Sequence, residues 1–429
     1  MKKVYIIGGA IVIFGFVSYF ALSWTPSLAH RVSSIEELLP ADCKGYVVVN
    51  VKELKRFLNK TSFYKKMKKM HIDKEIQEIP LFKKLNQKTK GRFFSLLGSE
   101  FVVGFYKKGY IVVSKPSWWM RIFWRGIRNE RTRWYSGFFI HASSKELMER
   151  FIKVNSTKDG EYEKPEEKDK GWIIRGKIKK GNTILNYENL YFTITNEGKG
   201  TVIIDKPGGI LGIILLGEFW FENPYVPKNP ILYISLKNVD MEEVWRELKK
   251  KRKSNIMESF FSSLGNKVFL VFTGFNEKKM YHAYKLILGF SVKRKFSKED
   301  YEDFGTWFFK GKGREKEING VSVIHFEEKE YKPSVYMYIK DGYLFLTTDS
   351  SFIGTKGAEV NKGFYFDIQS FKKEFIKYLL YLGAKSPYFT EKDVKEKIIP
   401  VIEAVSTRGI RMEKKKEPNV LKLSFILEF

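Results

Sequence analysis

The chain has 429 residues, 43% of them hydrophobic and 16% aromatic, and a formal net charge of +28. That apolar content excludes a disordered chain and supplies a folded core of two or three domains. One cysteine, Cys43, excludes an intrachain disulfide and a cysteine-based zinc site.

The first element is Val4 to Trp24, which contains no charged residue. As a helix it spans roughly 30 Å, the thickness of a bilayer core. Lys2 and Lys3 precede it, so the positive-inside rule puts the N-terminus in the cytoplasm and the bulk of the chain outside the inner membrane. Ser27 and Ala29 offer a signal-peptidase site, so a cleaved signal is the alternative to a retained anchor. Lys2 and Lys3 account for two of the charges, leaving +26 beyond Thr25. Such a surface attracts anionic lipid, envelope polymer or nucleic acid. The plain structural reading is a solvated lysine-rich surface.

Ser33-Ser34-Ile35-Glu36 has the form of a capping box for a helical turn that stops at Pro40. Gly45 to Val51 reads as a buried strand and Lys52 to Met70 as a lysine-faced helix, with a further helix over Leu81 to Lys90. FFSLLGSEFVVGF at Phe93–Phe105 matches FFSSLGNKVFLVF at Phe260–Phe272 in both leading Phe residues, Ser, Leu-Gly and the closing Phe. Each predicts a helix end, a Gly just past it and a strand. A strand and a helix precede both copies: Gly45–Val51 in the first case, Ile231–Leu236 with an Asp240 cap in the second. Hairpins follow both, over Ile184–Thr195 and around Asp341-Gly342. The order implies an internal duplication.

The expected class is therefore α+β. Duplicated units of antiparallel sheet, covered by helices, follow one N-terminal transmembrane helix. The divisions are an anchor and linker over 1–31, a first unit over 32–224 and a second over 225–429, with a proline-containing linker at Pro224–Pro230. The tail predicts a strand at Gly363–Asp367, helices capped by Ser370 and Thr390, and a hairpin of Arg408–Met412 with Val420–Phe429 joined by the charged stretch Glu413–Glu417.

Three short segments together resemble bacterial membrane-anchored extracytoplasmic proteins built on a tandem domain of unknown function. They are Leu39-Pro40-Ala41-Asp42 before a strand and helix, the Leu97-Gly98-Ser99-Glu100 junction, and Phe364-Tyr365-Phe366-Asp367-Ile368 opening a helix. The resemblance covers most of 38–429 and departs in its lysine content and in one aromatic-basic insert. It implies an envelope location and tandem α+β units, and it transfers no catalytic residue.

That insert is the candidate membrane or lipid contact. Trp118, Trp119, Phe123 and Trp124 stand among Arg121, Arg125 and Arg128, a pattern suited to indoles at headgroup level and guanidiniums on phosphates. The structural alternative is a hairpin packing its aromatics on the domain. Gly208–Phe221 is apolar but too short to span a bilayer, so it reads as a buried connection or a second ligand-facing surface. G-x-S-x-G, P-loop, G-x-G-x-x-G and C-x-x-C motifs are absent, and no two histidines have metal-ligand spacing. The sequence reads as a binding or scaffolding protein without enzymatic activity, cofactor or metal. An envelope hydrolase and a nucleic-acid-binding protein are the alternatives.

Overall fold

A computed structural model describes residues 32, 34–60, 98–116, 129–157, 171–182, 186–221, 223–227, 229–252, 256–276, 279, 283–328, 333–355, 357–360, 363–385, 390–404, 407–417 and 419–428. The chain divides into two compact units, Met1–Lys180 with Asn189–Val202, and Gly181–Glu188 with Ile203–Phe429.

In the first unit the apolar run Gly45–Asn50 forms β1, and α1 (Val51–Lys60) follows directly. Then come β2 (Glu100–Tyr106), β3 (Gly109–Ser114), β4 (Thr132–Tyr135), β5 (Phe138–Ala142), α2 (Lys145–Ser156) and β6 (Trp172–Asn182). Beyond these lie β7 (Asn186–Thr195) and β8 (Lys199–Asp205). The strand order is β6-β1-β2-β3-β5-β4, every pairing antiparallel. Alternation sends Tyr46, Val48, Val102, Ile111, Val113 and Ile140 to one face. There they bury Leu38 of a short 3-10 turn, Leu39 just after it, and Met148 and Phe151 of α2. Ser144 starts α2 by accepting a hydrogen bond from the Leu147 amide.

In the second unit α3 (Gly209–Leu216) precedes β9 (Glu218–Phe219), β10 (Asn223–Val226) and β11 (Leu232–Lys237). Next are α4 (Met241–Arg252), α5 (Glu258–Ser263), β12 (Leu264–Phe275) and β13 (Tyr284–Val292). After α6 (Lys298–Phe304) come β14 (Arg314–Ile318), β15 (Val321–Phe326), β16 (Val335–Lys340) and β17 (Tyr343–Thr347). The chain ends through β18 (Ala358–Val360), β19 (Phe364–Asp367), α7 (Ile368–Lys385), β20 (Gly409–Glu417) and β21 (Val420–Glu428). The order here is β19-β11-β12-β13-β17-β16-β15-β14. One face packs Leu236, Val268, Met337 and Leu344 under α4, α5 and α6. The other buries the aromatics Trp220, Tyr233, Phe269, Tyr338 and Phe345 among themselves.

Antiparallel sheet dominates: nineteen of the described strands belong to it, and β10 pairs with β18 apart from them. Helices are few, so the expected α+β class is corrected to a mainly antiparallel β architecture. Part of the error lies in charged stretches. Arg-Glu-Lys-Glu at 314–317, to which the sequence assigned no element, is strand β14, and Glu413–Glu417 continues β20 instead of joining two strands. On such strands most of the charged side chains face water while the backbone still pairs. Among the described residues no helix is long and apolar enough to cross a membrane. Val4–Trp24 itself lies outside the described residues, as do Phe93–Leu97 and the helix expected over Leu81–Lys90.

Several local expectations also change. Gly98 has φ +64°, whereas Gly265 is an ordinary strand residue against Ser291. Ser33, the cap residue of the expected box, lies outside the described residues, and the Ser34 hydroxyl accepts from Arg175 Nη2 at 2.7 Å. Asp367, not Ser370, caps α7 by accepting from the Ser370 amide at 3.0 Å. The proline-containing linker holds strand β10.

Candidate functional site

In the second unit a groove of about 670 Å³ lies between α6 and the sheet β14–β15–β16. That volume falls within the range of small-molecule sites, roughly 300–1,000 Å³. The capping box of Ser297 and Asp300 fixes the start of α6. This holds Lys298, Tyr301 and Glu302 along one wall. The Ile324–Met337 cross-strand pair forms the floor, with Ser322 and Ile339 on the same face by alternation. Lys312, Gly313 and Glu315 close the far side.

The rim carries both signs. Lys312 Nζ donates to Glu302 at 3.1 Å, across the groove mouth. Burial, then Asp300, raises the Tyr301 hydroxyl pKa. That phenol therefore stays protonated near neutrality and can donate a hydrogen bond. An apolar floor between charged walls suits a ligand with a hydrocarbon part and a polar head.

On the opposite face His325 stacks on Tyr336, ring centroids 4.4 Å apart. Lys316 Nζ lies 2.9 Å from its Nδ1 and Ser334 Oγ 2.7 Å from its Nε2. An ammonium group only donates, so Nδ1 accepts and the neutral ring donates from Nε2 to Ser334. A serine nucleophile needs the reverse polarity. Burial, then Lys316, lowers the His325 pKa.

The sequence-predicted contact residues Trp118, Trp119, Arg121, Phe123, Trp124, Arg125 and Arg128 lie outside the described residues. Gly208–Phe221 becomes α3, β9 and flanking residues. Ile213 is buried in the core with Val239 and Trp245, while Leu211 and Phe221 are exposed. Glu36 and Glu37, in the 3-10 turn, are both buried. The groove escaped sequence reading because strand register alone brings its floor residues together, and its charged side, β14, shows no apolar alternation. Among the described residues no group of three His, Cys, Asp or Glu side chains is arranged to hold a metal. No family model, curated protein or solved structure matches the chain.

Proposed function

We propose that the protein is an extracytoplasmic binding or scaffolding module of the cell envelope. Its apolar N-terminal stretch keeps it at the inner membrane, and it contacts anionic lipid or envelope polymer. The +26 charge beyond Thr25 supports attraction to such surfaces. The observation that carries the reading is the groove: an apolar floor of Ile324, Met337 and Ile339 beside Lys298 and Lys312 fits an amphipathic ligand.

The test uses the full-length chain in its host. Envelope fractions are exposed to a photo-crosslinking anionic lipid, and adducts are mapped by mass. The expected result is sedimentation with inner membranes and adducts at Ile324, Met337 or Ile339 that vanish on Met337→Glu. Recovery in the cytoplasmic fraction, or adducts unaffected by the substitution, sinks the reading.

A further inference from the structure

The β20–β21 hairpin holds a lysine in surroundings that do not suit an ammonium ion. Alternation puts Met412, Lys414 and Lys416 on one face of β20. Across from them on β21 stand Phe425, Leu423 and Leu421. Lys414 Nζ is closed off from solvent and has no hydrogen-bond partner among the described residues. It lies 5.6 Å from the centroid of the Phe219 ring. Burial, then Lys416, pull its pKa down to about 8 against an opposing pull from Glu218. Glu218 stands 3.9 Å from Lys237, which shares its charge.

One aromatic face replaces little of the hydration that a buried ammonium loses. The amine is therefore neutral in a substantial fraction of molecules near pH 8, and a neutral lysine amine is a nucleophile. Its reaction partner has to be small and apolar to reach a dry site, and electrophilic to react there. Carbon dioxide meets all three conditions.

We propose that Lys414 is a carbamylation site for CO2. The Nζ lone pair attacks the carbon, the N–C bond forms, one C=O pair moves onto oxygen, and an Nζ proton leaves to water. The product is a carbamate anion. Beside Lys416 this turns a cation–cation repulsion into an attraction. Glu218 opposes the new charge, and Lys237 partly neutralises it.

The experiment equilibrates the full-length protein with 13C-labelled bicarbonate and CO2 at pH 8. It records the carbamate carbonyl resonance, then traps adducts by O-alkylation for peptide mapping. Occupancy at Lys414 is expected to exceed that at any exposed lysine by at least tenfold, and the resonance is lost in Lys414→Met and in Lys414→Arg. Methionine suits the apolar face, so that variant folds, and arginine keeps the charge. A folded protein with no carbamate resonance overturns the proposal. So does a resonance that persists in Lys414→Met, or trapped adducts that map to the N-terminal amine or other lysines alone.

Discussion

Arg175 Nη2 stands 2.5 Å from Glu36 Oε1, with the two side chains 6% and 0% exposed. Neither oxygen of Glu36 receives a well-aligned hydrogen bond, so the pairing is coulombic. The guanidinium also lies 4.7 Å from the centroid of the Trp172 ring. Removing one member of a buried pair leaves an uncompensated charge, at a cost of about 3–5 kcal/mol, whereas replacing both with apolar residues is often neutral. Arg175→Met alone should therefore lower the denaturant midpoint far more than Arg175→Met with Glu36→Leu. Equal losses in urea unfolding would mean that packing, not charge, dominates here.

Lys414 predicts a pH dependence of stability. Its folded pKa of about 8 is below the ordinary lysine value of 10.5, so the unfolded chain binds more protons between those values. Stability should rise as pH climbs from 8 towards 10.5 and stay at its lower level below 8. Lys414→Met should flatten that rise in urea titrations run across the same range.

His325 behaves alike at lower pH. Its pKa is depressed from 6.5, so stability is full above 6.5 and falls as pH drops through the folded value. Lys316→Met removes a cation 2.9 Å from Nδ1. An NMR titration of the ring should then show the His325 pKa moving up; no movement would mean that burial alone sets it.

Phe269 fills the space above Gly289. A Cβ at Gly289 would meet the ring carbons at 2.1–2.7 Å, and Phe269 is fully buried. Gly289→Ala should destabilise the second unit by about 1–3 kcal/mol through overpacking, and Phe269→Leu should recover part of that loss. Paired urea unfolding curves check both.

The aromatic-basic stretch carries its own expectation. The chain without residues 1–29 should bind vesicles containing anionic lipid, each arginine near the surface contributing on the order of 1 kcal/mol. Binding should weaken with salt. It should drop when Trp118, Trp119 and Trp124 are replaced by Ala, as measured by co-sedimentation. Undiminished binding by the triple variant would assign those indoles to packing.

Sequence reading works where one residue type fixes local geometry. Asp341-Gly342 turns the β16–β17 hairpin with φ +48° and +77°, as the dipeptide implies. Thr390 forms a capping box with Asp393. Reading fails where a distant partner decides. Nothing near Glu36 announces its burial, because Arg175 arrives from β6, far along the chain. Lys414 looks like one of three solvated lysines until Leu423 and Phe219 are placed around it. The groove combines both failures: Ile324 and Met337 become neighbours only through strand register, and Glu315 sits on an edge strand whose charges hide its periodicity.

The strand that completes each sheet comes late in the chain. Tyr46 of β1 pairs with Lys177 of β6, and Tyr233 of β11 pairs with Tyr365 of β19, each across roughly 130 residues. During synthesis β1 and β11 therefore leave the ribosome with one edge unpaired, and each waits for its second neighbour until its unit is nearly finished. Loop closure over such distances slows folding and prolongs the exposure of apolar strands. A nascent chain stalled before residue 364 should thus be a better chaperone client than one released at its end.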